Sequence, residues 1–180
     1  MSILKVARMG HPVLRAKARA VDRSEIKGAA IQKLIDDMID TMVEYHGVGL
    51  AAPQVHEGVR LFVASLDADT DEGERREPIA IINPEITPVG SEIVEDWEGC
   101  LSIPDIRGRV PRAREITVRA FDRKGDRIEI TAHNFAARVI QHETDHLNGV
   151  LFFDRMRSFD SLTFLEEFQR YVSRRDVPEE

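Results

Sequence analysis

The sequence predicts an α+β fold, with mainly antiparallel strands around a central metal-binding helix, one helix in the N-terminal half and one near the C-terminus. Three observations predict it. Ile31, Leu34, Ile35, Met38 and Met42 recur at helical spacing, with Lys33, Asp36, Asp37 and Asp40 on the opposite side. Short β-rich runs separated by turn residues follow, the clearest being Ile116 to Phe121, a turn at Asp122 to Gly125, and a return from Asp126 to Ile130. The hairpin leads into Gln141-His142-Glu143-Thr144-Asp145-His146-Leu147, a His-Glu-x-x-His pattern.

In chain order, residues 1–21 read as an extended arm, because His11 precedes Pro12 and leaves the helical region. Asp22 and Glu25 form a capping pair for a helix reaching about Tyr45. Its Met and Ile stripe is core, and His46 before Gly47 is a C-terminal cap, where a cation is favoured. Gly47 to Gln54 is small and apolar with one amide. Its glycines permit close approach of another chain, and the Lys-Ser/Thr ending of a phosphate loop is missing. Leu61 to Leu66 and Ile79 to Ile82 read as strands joined by a charged loop from Asp67 to Pro78. That loop is not a calcium site: Glu72 stands where glycine is needed and Pro78 where the bidentate Glu belongs. Ser91 to Val94 is a further strand, Arg107 to Arg112 a basic loop, and Asp160 with Ser161 caps a last helix facing Leu162, Leu165, Phe168 and Val172 inward. The tail from Ser173 is polar and frays.

The 180 residues suit one domain spanning 1–180. A hydrophobic content of 42% with 32% charged residues describes a globular protein. A net charge of −7 argues against nucleic-acid readout by the surface as a whole. No apolar run has the length of a membrane span, and no signal-peptide core or basic leader is visible, which makes the cytoplasm the expected compartment. The lone Cys100 excludes an intrachain disulfide.

The chemistry lies in the His-Glu-x-x-His segment. Phe135 to Ile140 lead in as a helix and Asn148-Gly149 stop it. His142 and His146 then lie on one face and can share a divalent metal, and Glu143 stands where a carboxylate takes a proton from water. Alone, the pattern also describes a surface helix with two solvated imidazoles, but the apolar Val139 and Ile140 argue for burial. Two imidazoles need at least a third protein ligand, and Cys100 is the strongest candidate because a thiolate binds divalent metals tightly. His133 is better read as a cap or surface residue.

Gly47 to Gln54, Glu98 to Ser102 (Glu-Gly-Cys-Leu-Ser) and Gln141 to Leu147 together resemble the three motifs of peptide deformylase, in that family's order and spacing, over nearly the whole chain. The resemblance implies hydrolysis of the N-formyl group from the initiating methionine of new polypeptides, with formylmethionyl nascent chains as substrate; separately, the last helix with Arg170, Arg174 and Arg175 leaves the ribosome as a candidate partner. It implies Cys100, His142 and His146 as ligands of one divalent metal, ferrous iron in family members, with zinc, nickel or cobalt able to occupy the site. It implies Glu143 as general acid and base, and Gln54 with the Leu101 amide on the developing oxyanion. Val48, Gly49, Glu98, Gly99, Phe135 and Val139 would border the substrate, and Arg107 would contact its backbone. Two positions depart from the family pattern. Trp97 stands where many members carry an acid, although one subgroup carries Trp there. Arg138 stands where many are apolar, and either alters the pocket or carries its charge to solvent or to an acid such as Glu98. A zinc endopeptidase is the first competing reading, but only 34 residues follow His146 and none is His. A binding module stapled by metal is the second, and a chain of this size needs no staple.

Overall fold

The structure is a computed structural model describing residues 2–66 and 77–173. Two antiparallel sheets carry the fold. One has five strands in the order β1 (Gly49–Ala51), β2 (Leu61–Ala64), β3 (Ile79–Pro88), β6 (Glu115–Phe121) and β7 (Arg127–His133). The other has β4 (Ile93–Cys100), β5 (Ile103–Ala113) and β8 (Thr163–Phe164). The helices are α1 (Arg23–Ile26), α2 (Ala29–Glu44), α3 (Asn134–Leu147) and α4 (Leu165–Tyr171).

The central strands are buried on both faces, so they are apolar at every position rather than at alternate ones. Phe62 and Ala64 of β2 with Ile81 of β3 pack toward Ala136, Ala137 and Ile140 of α3. Leu61, Val63, Ala80 and Ile82 pack toward Ile31, Ile35, Met38 and Met42 of α2. The large sheet is thus held between α2 and α3, as a period of two requires. The third cluster, Leu14, Ile103, Val110, Leu151 and Phe152, seats the small sheet beside Cys100.

Several boundaries differ from the sequence reading. Residues 1–21 are not uniformly extended, because Pro12–Arg15 forms a 3₁₀ turn with Pro12 at its start. The expected single helix to Tyr45 is two: Gly28 interrupts it and serves as the N-cap of α2, while Glu25 Oε2 accepts from Asp22 N at 2.8 Å as the capping pair predicts. Tyr45 is the C-cap, and His46 takes the left-handed turn beyond it at φ 53°. β3 runs to Pro88, six residues beyond the expected end. Asn83 sits in a bulge at φ 52° and its amide clasps Val21 through bonds of 2.9 and 2.8 Å.

The largest correction concerns Arg107 to Arg112. It is no loop but the middle of β5, paired with β4 through Trp97↔Arg109 and Glu98↔Gly108. Prolines 104 and 111 and three arginines hid it, yet a strand with one lightly paired edge tolerates proline. The strand expected at Ser91 to Val94 starts at Ile93 and continues to Cys100. The last helix starts at Leu165 rather than at Asp160, none of its residues is buried, and Ser161 accepts a bond from Arg109 N instead of capping it. The charged stretch 67–76 and the tail from 174 lie outside the described residues.

Candidate metal centre and its cleft

Strands β1, β4 and β5 and helices α3 and α4 border a cleft of about 640 Å³. α3 supplies His142, Glu143 and His146, all buried because one face of the helix packs on the large sheet. Cys100 ends β4, where the strand turns tightly into β5, and this turn brings it over the helix. Sγ of Cys100 lies 3.3 Å from Nε2 of His146, and the ligand atoms of Cys100, His142 and His146 all lie within 4.8 Å of one another. Burial alone would push the Cys100 thiol up, but the adjacent His146 and His142 imidazoles hold it well below its ordinary range. A thiolate with two imidazoles is a donor set for one transition-metal cation. The chain's donors fit such an ion, for one thiolate and two imidazole nitrogens, all from buried residues, converge within 4.8 Å of one another.

His142 is aimed by a buried charge network. Its Nδ1 meets Oε2 of Glu98 at 2.9 Å, which turns Nε2 toward Cys100 and His146. Arg112 grips Glu98 through Nε at 2.9 Å and Nη2 at 3.0 Å, and also pairs with Asp145. Arg155 closes the far side of Asp145 at 2.7 Å. Arg138 adds a further bond to Glu98 at 2.8 Å and two to the carbonyls of Val94 and Val110 at 2.7 Å. Of the alternatives for Arg138, the structure takes the one in which its charge reaches Glu98. Burial would raise the Glu98 carboxyl, but His142 and Arg112 keep it well below the usual carboxylate range.

Glu143 stands beside Gly49, where an added Cβ would overlap its Oε1. Burial pushes its carboxyl up to about 6, against the pull of His142 and His146. Gln54 is fixed at its oxygen, which accepts from Ala51 N at 2.8 Å, so its amino group points inward to Ser102 Oγ at 3.2 Å and Cys100 Sγ at 3.5 Å. Leu101 follows the thiol directly and borders the cleft. Gly99 leaves room for the Arg107 guanidinium, which would collide with any Cβ there. Val48 and Phe135 line the cleft while half exposed, and Val139 lines it one turn before His142.

All thirteen residues singled out in the sequence therefore border the cleft or its metal cluster. His133 does not: it is exposed, 3.6 Å from Glu115. Glu166 and Glu167 on α4 do not join the cluster either, so the described residues offer no downstream ligand of the kind a zinc endopeptidase would need. The sequence reading missed Ser102, Arg112, Asp145 and Arg155. Ser102 and Asp145 carried a signal, each as a member of its motif. The others are charged residues that hydropathy assigns to solvent.

No helix among the described residues is long and apolar enough to cross a membrane. A sequence model of the family described as polypeptide deformylase matches residues 3–161. Peptide deformylase 2 of Nostoc sp. is 45% identical over 174 residues, covering 96% of each chain. The peptide deformylase of Halothermothrix orenii is 45% identical over 157 residues, 87% of this chain and 95% of that one. Among solved structures, a class I type b peptide deformylase of Acinetobacter baumannii bound to Met-Ala-Ser is similar with a TM-score of 0.79 at 38% identity, covering 87% of this chain and 100% of that one. The peptide deformylase of Thermotoga maritima gives 0.79 at 39%, covering 88% and 100%.

Proposed function

The chain belongs to the polypeptide deformylase family, and we propose that Cys100, His142 and His146 hold its single metal ion while Glu143, Gln54 and the Leu101 amide act on the substrate. The enzyme is a metal-dependent hydrolase that removes the N-formyl group from the N-terminal formylmethionine of newly made polypeptides. The observation that carries the residue assignment is the convergence of three buried donor atoms within 4.8 Å, beside a buried carboxylate with an unpartnered oxygen.

Bound there, a divalent cation supplies Lewis acidity that brings the pKa of water to about 7. Glu143 accepts the proton of the attacking water and returns it to the departing amine. A carboxyl poised near 6 is ionised at neutral pH yet basic enough for that exchange. The Gln54 amino group and the Leu101 N–H stabilise the charge that develops on the formyl oxygen; one such donor is worth about 2.7–4 kcal/mol of barrier. Val48, Phe135 and Val139 take the methionine side chain, Gly49 leaves room for the Glu143 carboxylate and Gly99 for the Arg107 guanidinium, and Arg107 holds the substrate backbone. Glu98 acts behind His142. The ion is ferrous iron by the family resemblance alone, since a thiolate and two imidazoles equally accept zinc, nickel or cobalt. We further assign the enzyme to one domain, to the cytoplasm, and to transient contact with the ribosome through the C-terminal arginines, of which Arg170 is described on α4.

Two substitutions separate these roles. Arg107→Ala removes a charged donor from the cleft and is expected to raise KM for formyl peptides roughly tenfold with kcat little changed; an unchanged KM removes Arg107 from the site. Gly49→Ala forces Glu143 aside and is expected to lower kcat roughly 100-fold, since small misplacements of a reacting group cost that much; steady-state kinetics on formyl-Met-Ala-Ser measure both. Formate release without cleavage of casein tests the reaction class against the peptidase alternative.

A further inference from the structure

One wall of the cleft comes from outside the three motifs. Leu165, the first residue of α4, borders the cleft together with Trp97, Phe135, Arg138 and Val139. The family match ends at residue 161, so β8 and α4 lie beyond it. β8 pairs with β5 at Ile106↔Phe164 and Arg107↔Thr163, next to the proposed substrate-binding arginine. Ser161 adds a bond from Arg109 N at 3.0 Å. Leu165 and Phe168 are three residues apart and share a face of α4. Phe168 meets the Trp97 ring edge-on, with centroids 4.8 Å apart.

A seven-residue helix with no buried residue has little stability of its own. Its place is set by these contacts, and they put an apolar side chain into the cleft. The Trp97 side of the cleft joins the α3 side through Arg138, whose guanidinium is held under β4 by Glu98 and the carbonyls of Val94 and Val110. With its charge bound there, Arg138 can offer the cleft its methylene stem. Trp97, Leu165, Phe135, Val139 and that stem together describe an apolar pocket continuous with the one proposed for the first substrate side chain.

We infer that Leu165, braced by Phe168 against Trp97, is a specificity-determining residue that closes the pocket around the long apolar side chain at the substrate's N-terminus. The inference rests on the deformylase reading and deepens it. Leu165 is half-buried and belongs to none of the three core clusters, so its truncation is expected to leave the fold intact. Leu165→Ala is expected to lower kcat/KM for formyl-Met-Ala-Ser roughly tenfold, the loss a few methylene contacts produce, while leaving formyl-Ala-Ala-Ser nearly unchanged. Phe168→Ala is expected to act in the same direction with a smaller loss. A purely structural role for α4 would lower both substrates equally, and that result overturns the inference, as does no change for either.

A binding measurement separates this inference from the reaction itself. Trp97 is the only tryptophan of the chain and lies in the wall. Its fluorescence should respond to Met-Ala-Ser, with a Kd roughly tenfold weaker in Leu165→Ala and unaltered for Ala-Ala-Ser. Formate release absent in the parent protein would remove the deformylase reading. The ratio of the two peptide affinities would still decide the wall, and an unaltered ratio in Leu165→Ala would refute it.

Discussion

Replacing Glu143 by Gln is expected to leave the metal bound and the fold unchanged while turnover falls roughly 10²–10⁴-fold, the usual worth of a positioned general acid and base. Glu143 is not among the three converging donors, so metal content should not follow its loss. Its unpartnered Oε2 is buried where nothing but an incoming group can use it, and its other oxygen is confined by Gly49. Gln preserves the shape and one acceptor but cannot take a proton. Metal analysis and kcat on one preparation test this together. Near-normal turnover would remove Glu143 from proton transfer, and loss of the metal would make it a ligand instead.

The second large effect is one of stability. Arg112→Met is expected to cost about 3–5 kcal/mol, because it strands two buried carboxylates rather than replacing a whole network. Arg112 is about 5% exposed and is the residue shared by Glu98 and Asp145. Arg138 still reaches Glu98 and Arg155 still reaches Asp145, which places the cost within that range rather than above it. Because the ion pairs hold Glu98 below its ordinary value of 4.5, they add stability above that pH, and it is lost as pH falls toward the depressed value. The variant should therefore lose less stability than the parent on acidification, as urea unfolding at neutral and acid pH will show. His142 loses part of its orientation as well, so metal affinity should drop about 10–100-fold. Unfolding at the parental midpoint would mean that the network contributes little to the fold.

What was legible in the sequence follows a physical rule. α2 and α3 were visible because each buries one apolar stripe, and the β6–β7 hairpin because alternation and a Gly-containing turn mark it. The metal cluster was legible because imidazoles four apart on a helix can serve few other purposes once buried. β5 was not, since its interior is bought with charge: Arg112 enters the core on Glu98 and Asp145, and its neighbours Arg107 and Arg109 border cleft and surface. Hydropathy reads all of them as solvated. The helix break at Gly28 was hidden by a continuous capping-plus-stripe pattern. The short α4 was overextended because Asp160 and Ser161 offered a cap that their backbone does not use.

The most direct test of the central claim is formate release from formyl-Met-Ala-Ser by protein purified without air, measured with its metal content and repeated after chelation. The account predicts about one metal ion per chain, release that chelator abolishes and a divalent ion restores, and none in Cys100→Ala. Undiminished release after the metal has been stripped, or a Cys100→Ala protein that keeps both metal and activity, would contradict it.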